Sequence, residues 1–321
     1  MSLIQCNNIT KRYGNTLALD GVSLSLEAGA PIALIGPNGA GKTTLFSLLC
    51  GFLRASSGEV SIMGFAPSDK KLHGRLSALP QDANLDPRFS IGHQLVLLAR
   101  LQGMSSRIAK QETQRVLDKV GLPEVIKTKP DALSHGMRKR VMLAQALMGS
   151  PELILLDEPT AGLDPPNVKV MRSLIAEAAG DATFIISSHN LDELEKVCKS
   201  VVHLEKGKLK GIVDIAQSQN SGYNNDSNSN DGNNSYYTVV MADTMIDANT
   251  IIDALKSVES VSNVTFNSPN RFVVEYDAKQ SAMDITLIKY LTEKGWEYRQ
   301  LLNGRSLEDQ LYFGSDESKQ K

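Results

Sequence analysis

A glycine-rich segment directly after an apolar run constrains the fold of this chain more than any other feature. The run Pro31 to Ile35 is typical of a buried strand, and Gly36-Pro37-Asn38-Gly39-Ala40-Gly41-Lys42-Thr43-Thr44 follows it and fits the pattern G-x-x-x-x-G-K-S/T. A helix is predicted to follow over Thr43 to Cys50. The glycines let successive backbone N–H groups point at phosphate oxygens, and the start of the helix adds about half a unit of positive charge. The order of strand, turn and helix therefore predicts a phosphate-binding loop, in which Lys42 would reach the β and γ phosphates.

A second element is an apolar strand, Leu153 to Leu156, that ends in the carboxylates Asp157 and Glu158. Because buried strands do not tolerate carboxylates in the middle, this pair is expected at the edge of a sheet, where open α/β sheets bind ligands. Asp157 suits Mg²⁺ ligation, directly or through water, and so does the hydroxyl of Thr43. Glu158 suits the alignment of an attacking water, which is most of what phosphoryl transfer asks of a protein. A solvated turn before Pro159 is the alternative interpretation of the two carboxylates.

Strand-like and helix-like patterns alternate before residue 216, which predicts an α/β fold with a largely parallel, buried sheet. The apolar strand-like runs are Val22 to Leu26, Pro31 to Ile35, Leu153 to Leu156, Thr183 to Ser187 and Val201 to Leu204. No such run occurs from about Asp82 to Gly149. That part instead has helical periodicity, which predicts a helical subdomain with helices over Ile91 to Leu101, Ile108 to Val120 and Met137 to Met148.

A stretch of Asn, Ser, Gln, Gly and Asp divides the chain, and residues 216–235 are predicted to be a flexible linker because they have little apolar surface. After it, the patterns predict strand, helix, strand, strand, helix and strand between Tyr236 and Leu301. That order predicts a small α+β domain of the ferredoxin-like type over 236–314. A short helix from Leu307 to about Phe313 and a polar tail over 315–321 are expected to end the chain.

Charge, hydropathy and cysteine content exclude several classes of function. The net charge of -2, from 34 basic and 36 acidic residues, provides no excess of cations for nucleic-acid binding. A membrane-spanning helix needs about 18 apolar residues with few charges, and the longest candidate, Ala28 to Gly41, is Gly-rich; the polar N-terminus also argues for a cytoplasmic protein. Cys6, Cys50 and Cys198 lie far apart, which favours buried reduced thiols over disulfides or a metal site.

Several further motifs stand in the order found in the ATP-binding cassette (ABC) family, which residues 1 to about 215 resemble. In that family, the aromatic residue matched by Tyr13 stacks on adenine, and the glutamine matched by Gln81 touches Mg²⁺ and relays the nucleotide state to a partner. The segment that ends at Asp164, Ala161-Gly162-Leu163-Asp164, resembles the loop that communicates across a cassette dimer. His189 matches the histidine that contacts the γ-phosphate.

The family signature, usually Leu-Ser-Gly-Gly-Gln, is here Leu133-Ser134-His135-Gly136-Met137. The resemblance implies that Ser134 and the N–H groups that open a helix from Gly136 hold the γ-phosphate of ATP bound to the opposite cassette. His135 puts a side chain beside that phosphate where the family has a hydrogen, and it is expected to face solvent, with added charge near neutral pH as the alternative. The run Arg138-Lys139-Arg140 is expected to be a solvated helix face.

The resemblance implies a P-loop ATPase that binds ATP and Mg²⁺ and closes with a second cassette, in a homodimer or a heterodimer. Its function would be the ATPase subunit of a membrane transporter, at the cytoplasmic face of the inner (plasma) membrane, with transmembrane permease subunits on separate chains. Ser306-Leu307-Glu308-Asp309, after an appended small domain, resembles the closing motif of type-2 exporter subunits and favours export. The alternatives are a soluble cassette ATPase that acts on ribosomes or DNA, and a degenerate cassette that binds ATP without hydrolysing it.

Overall fold

The computed structural model describes residues 2–188, 194–215, 234–242, 246–267, 270–277, 279–280 and 282–305. By contacts the chain divides into two compact units, Met1–Val213 and Asp214–Lys321. Most of the predicted linker lies outside the described residues, as do the helix predicted from Leu307 and the polar tail.

The first unit alternates strands and helices along the chain. Its strands are β1 (Ser2–Tyr13), β2 (Thr16–Glu27), β3 (Ile32–Ile35), β4 (Ser57–Ile62), β5 (Leu76–Leu79), β6 (Leu153–Asp157), β7 (Thr183–Ser187), β8 (Ser200–Glu205) and β9 (Lys208–Asp214). Its helices are α1 (Lys42–Leu49), α2 (Ile91–Leu101), α3 (Ser106–Lys119), α4 (His135–Ala146) and α5 (Pro165–Ala178).

A six-stranded sheet forms the centre of this unit, in the order β5-β6-β7-β3-β8-β9. Strands β5, β6, β7, β3 and β8 pair in parallel. Every residue of β3, β6 and β7 is buried, which is typical of parallel strands covered by other elements on both faces. The prediction of a parallel, buried sheet is therefore confirmed for these strands.

The prediction is wrong for Val22 to Leu26, which lies within β2 of a separate antiparallel sheet in the order β2-β1-β4. Residues of β2 alternate between buried and exposed from Val22 onwards, because one face covers the core and the other meets solvent. Strands β1, β4, β5 and β9 carry no continuous apolar run, and the sequence patterns did not predict them. Half-buried strands of this kind give a weaker sequence signal than strands buried on both faces.

Helices α2, α3 and α4 pack on one another and form the helical region between β5 and β6, as predicted. Each starts at a serine whose hydroxyl accepts a backbone N–H three residues later: Ser90, Ser105 and Ser134, at 3.3, 3.4 and 3.2 Å. Such caps satisfy N–H groups that have no partner within the helix. Among the described residues, no helix combines the length and apolarity needed to cross a bilayer.

The prediction that Arg138 to Arg140 form a solvated face is wrong for two of the three residues. Arg138 is exposed, but Lys139 and Arg140 are half-buried. Nη1 of Arg140 donates to the carbonyl oxygen of Val120 at 3.3 Å, at the C-terminal end of α3, where helix carbonyls have no partner of their own. The helical period turns successive residues of α4 to different surroundings, so neighbouring cations do not share one environment.

Where the structure describes it, the second unit is an antiparallel sheet in the order β11-β12-β10-β13 with two helices. Its elements are β10 (Asn234–Met241), α6 (Ala248–Lys256), β11 (Val261–Asn267), β12 (Arg271–Asp277), α7 (Met283–Glu293) and β13 (Tyr298–Asn303). This order and pairing are those of the predicted ferredoxin-like fold. Its core joins apolar side chains of both helices to one face of the sheet, among them Leu255, Leu287, Val239 and Val274.

Truncation of one core side chain tests the packing of this second unit. Leu287 is fully buried on α7, whereas Ile285 on the same helix is 63% exposed. We expect Leu287→Ala to lower the free energy of unfolding by about 2–5 kcal/mol, because it removes buried apolar surface and leaves a cavity. Ile285→Ala should change it by less than about 1 kcal/mol. Trp296 is the only tryptophan of the chain and packs against this core, so its fluorescence in a urea titration reports the unfolding of this unit. An equal decrease in the free energy of unfolding in the two variants would contradict the packing.

Candidate functional site

The carboxyl ends of four neighbouring parallel strands meet at one edge of the central sheet. In the register of the sheet, Leu79 of β5 is paired with Leu156 of β6, and Asp157 with Ser187 of β7. Ser187 is in turn paired with Leu34 of β3. The residues that come next therefore line this edge: Gln81, Glu158, Ser188 and the loop that starts at Gly36.

The loop from Gly36 to Thr44 wraps closely because two of its glycines leave no room for a side chain. Gly36 has a φ of +151°, and a Cβ there would overlap the carbonyl oxygen of Leu204 in β8. Gly41 has a φ of +102°, and a Cβ there would lie 2.7 Å from both the carbonyl oxygen of Ala18 and Cδ2 of Leu19 in β2. The loop therefore packs between the central sheet and the antiparallel sheet, and its curvature depends on glycine at these two positions.

Lys42 is half-buried and reaches back across the same loop. Its Nζ donates to the carbonyl oxygens of Gly36 at 2.6 Å and Pro37 at 3.3 Å. Helix α1 begins at Lys42, so the first N–H groups of the helix and the ammonium lie at the same end. This end of α1 carries positive charge from both sources and suits an anion such as a phosphate group.

Asp157 and Glu158 are buried carboxylates, 5% and 8% exposed. The hydroxyl of Ser187 donates to Oδ1 of Asp157. The backbone N–H of Glu158 donates to the carbonyl oxygen and to the hydroxyl oxygen of Ser187, both at 3.1 Å. Glu158 has a φ of +49°, a conformation that costs free energy for a residue with a side chain, so its backbone is held by these contacts.

Ser187 is a site residue that the sequence patterns did not single out. It bonds to the carboxylate of Asp157 and to the backbone N–H of Glu158 across the β6–β7 pair, because the register places it beside Asp157. A buried hydroxyl needs a hydrogen-bond partner. A serine at the end of an otherwise apolar strand, next in space to an acidic strand end, is the signal that could have indicated this role.

The cysteines are free thiols, as expected from their spacing; Cys6 and Cys198 are buried as predicted, whereas Cys50 is half-buried. Burial raises the pKa of Cys6 and of Cys198 to about 12. Burial, with a smaller contribution from the Asp157 carboxylate, raises the pKa of Cys50 to about 12. All three are therefore neutral at physiological pH.

Gln81 and Tyr13 are the predicted residues at the rim of this site. Gln81 is exposed and follows β5 by two positions, level with Glu158 in the register of the sheet. Tyr13 ends β1, is 47% exposed and is paired with Thr16. Thr16 is two residues before Ala18, about 7 Å along the strand, and the carbonyl oxygen of Ala18 packs against Gly41 of the loop.

Ser134, Gly136 and Asp164 come together in a second group, at the N-terminal ends of α4 and α5. A Cβ on Gly136 would overlap the side-chain amide of Asn167, and Nδ2 of Asn167 donates to Oδ1 of Asp164. His135 is exposed, as expected, and its Nε2 would lie 3.4 Å from a Cβ on Gly162. These contacts join the segment Ser134 to Gly136 to the segment Ala161 to Asp164. His189 lies outside the described residues.

Comparison with known proteins identifies the family. The sequence model of the family described as ABC transporter matches residues 19–161. "Nod factor export ATP-binding protein I" of Burkholderia orbicola is 36% identical over 211 residues, which are 64% of this chain and 68% of that protein. The chain belongs to the ABC transporter family. "Linearmycin resistance ATP-binding protein LnrL" of Bacillus subtilis is 32% identical over 213 residues, 65% of this chain and 68% of that protein.

A solved ABC structure agrees with this assignment. The cbiO1 protein of Clostridium perfringens, described as part of the ABC transporter complex cbiONQ, superposes with a TM-score of 0.60 and 27% sequence identity. The match covers 67% of this chain and 90% of that one. The resemblance to the ABC family is thus confirmed, and with it a P-loop cassette fold and an ATP-binding ATPase of the transporter type.

Replacement of Ser187 tests how the acidic pair is held. We expect Ser187→Ala to lower the turnover number for ATP about 10- to 100-fold, because hydrogen bonds to charged groups contribute about 1.5–3 kcal/mol each. Ser173→Ala, at an exposed position of α5, is the matched control and should retain normal turnover. Steady-state ATPase assays measure both, and wild-type turnover in Ser187→Ala would show that the acidic pair does not depend on this hydroxyl.

Proposed function

We propose that this protein hydrolyses ATP to drive an exporter whose membrane-spanning subunits are separate chains. The observation that carries the proposal is the position of the buried Asp157–Glu158 pair at the same sheet edge as the glycine-rich loop. A positively charged helix start and a fixed carboxylate pair are the two parts that phosphoryl transfer requires.

The nucleotide is bound along the loop from Gly36 to Thr44. Tyr13 stacks on adenine, and the exposed backbone of Pro37, Asn38 and Gly39 faces the phosphates. Lys42 exchanges its contacts with the carbonyl oxygens of Gly36 and Pro37 for contacts with the β and γ phosphates. The same ammonium thus neutralises charge that develops on the phosphates.

The residues at the start of α1 and at the end of β6 fit a magnesium ion. The hydroxyl of Thr43 is exposed at the start of α1, the carboxylate of Asp157 ends β6, and the amide of Gln81 stands at the rim. All three offer the hard oxygen ligands that Mg²⁺ prefers. When bound, Mg²⁺ neutralises phosphate charge and orients the phosphate chain.

Glu158 orients the attacking water and accepts its proton, while Ser187 holds the Glu158 backbone. The water oxygen forms a bond to the γ-phosphorus as the bond to the β–γ bridging oxygen breaks, which yields ADP and phosphate. The resemblance to the family assigns contact with the γ-phosphate to His189. These groups work by position and charge, since none of them forms a bond to phosphorus.

A second cassette completes each nucleotide site. The start of α4, with Ser134 and Gly136, contacts the γ-phosphate bound to the opposite cassette through N–H groups and the serine hydroxyl. Asn167 contacts both Gly136 and Asp164, and it therefore keeps the start of α4 close to the loop Ala161 to Asp164. ATP favours the closed dimer because it binds that state better than the open one, and loss of the γ-phosphate reopens it.

Relatives support the direction of transport. Two of them are named for Nod factor export and for linearmycin resistance. The ferredoxin-like unit after the cassette and the segment Ser306 to Asp309 resemble type-2 exporter subunits. We propose that the protein acts at the cytoplasmic face of the inner (plasma) membrane, bound to permease subunits.

Replacement of the proposed base tests hydrolysis. We expect Glu158→Gln to keep ATP binding and lose about 10²- to 10⁴-fold in turnover, because the amide does not accept the proton of water. Glu177→Gln, at an exposed position of α5, is the matched control and should behave as wild type. Nucleotide binding and phosphate release are measured on the same preparations, and near-normal phosphate release from Glu158→Gln would refute the role of Glu158.

Mixing two inactive variants tests the shared site. Lys42→Met should lose hydrolysis because it lacks the phosphate-binding ammonium, and Ser134→Arg because its side chain blocks the opposite nucleotide. A mixture should regain part of the wild-type activity, since a mixed dimer of this chain contains one site with both residues intact. ATPase assays over a range of mixing ratios measure this recovery. Activity that stays at the level of the separate variants would contradict a composite site between two copies and favour a different second cassette.

A further inference from the structure

Lys11 stands beside the proposed adenine-stacking residue and has no role in the site described above. Its side chain is half-buried, and its Nζ donates to the carbonyl oxygen of Arg54 at 2.8 Å. The same Nζ lies 5.2 Å from the centroid of the Tyr13 ring. A cation within about 6 Å of a ring centroid is attracted to the face of that ring.

Strand geometry explains why Lys11, and not Arg12, contacts the ring of Tyr13. Residues two apart in a strand point to the same face, so Lys11 and Tyr13 are neighbours, whereas Arg12 points to the other face and is exposed. Two hydrogen bonds with Ser56 also hold the backbone of β1 at this point. The N–H of Arg12 donates to Oγ of Ser56 at 3.1 Å, and the N–H of Ser56 donates to the carbonyl oxygen of Thr10 at 2.8 Å.

We propose that Lys11 is a positioning residue for the nucleotide base, which holds the Tyr13 ring from one face so that adenine stacks on the other. This inference rests on the proposed function, because it assumes that Tyr13 stacks on the base. Tyr13 ends a strand and is about half exposed, so its ring needs a partner to stay in one orientation. Lys11 supplies that partner, and its own ammonium is anchored by the Arg54 carbonyl.

Preorganisation of the ring affects nucleotide binding and not the chemical step. A ring already held in its binding orientation loses less conformational freedom when the base arrives. Lys11 lies at the base end of the site, away from the phosphates, so its contribution is the same in the ground state and in the transition state. Loss of such uniform binding raises KM and leaves kcat unchanged.

The experiment is a double-mutant cycle on the full chain, with steady-state ATPase kinetics as the readout. Lys11→Met should raise the KM for ATP about two- to fivefold, the size expected for a cation over an exposed ring. Its kcat should equal that of wild type. Lys11→Arg should restore the KM, because a guanidinium also stacks on aromatic rings and donates to carbonyl groups. Lys11→Met added to Tyr13→Ala should cause no further increase, since the two residues act through one contact.

Arg12→Met is the matched control, since it removes the neighbouring cation from the other face of the strand. The proposal for Lys11 is overturned if Lys11→Met behaves like Arg12→Met, if it lowers kcat, or if its effect adds in full to that of Tyr13→Ala. A KM for ATP that does not change in Tyr13→Ala overturns base stacking by Tyr13 and with it the inference about Lys11, while ATP hydrolysis itself is tested separately by Glu158→Gln. Normal stacking by Tyr13 with no effect of Lys11→Met overturns only the inference about Lys11.

Discussion

Parallel pairing of β5, β6, β7 and β3 is the constraint on which the rest of the site depends. Parallel strands bring their carboxyl ends to one edge, and the register places Asp157 beside Ser187 and Ser187 beside Leu34. The loop from Gly36 to Thr44 starts two residues after Leu34, and it therefore lies at the same sheet edge as the acidic pair, with β7 between them. A shift of one residue in any of these strands would turn its side chains to the opposite face and separate these groups.

The burial of Asp157 at this edge is tolerated because its carboxylate has a hydrogen-bond partner. Asp157 accepts the Ser187 hydroxyl, and Glu158 is held by backbone and side-chain oxygens of the same serine. Carboxylates buried without such partners would cost several kcal/mol. The arrangement keeps two acidic side chains fixed beside a positively charged helix start, which is the electrostatic basis of the proposed hydrolysis.

Local patterns were enough to predict some parts of the fold and failed for others. The glycine-rich loop and the acidic strand end could be predicted because each is a continuous segment whose chemistry depends on neighbouring residues. The prediction for Val22 to Leu26 was wrong because its apolar residues alternate with serines, a pattern typical of a strand with one exposed face and not of a parallel strand buried on both faces. Arg140 could not be assigned from its neighbours, because its hydrogen bond is to Val120, on another helix.

The sequence by itself determined the kind of chemistry, since the residue types at Gly36 to Thr44, Asp157 and Glu158 suit phosphate, metal and water in this order of elements. The tertiary structure decided which side chains hold these groups in place. Ser187 bonds to the Asp157 carboxylate and to the Glu158 backbone. Asn167 joins Gly136 to Asp164, and Lys11 lies over the Tyr13 ring with its ammonium on the Arg54 carbonyl. The physical reason is that positioning contacts link residues far apart in the chain, and only the pairing of strands and packing of helices brings them within hydrogen-bond distance.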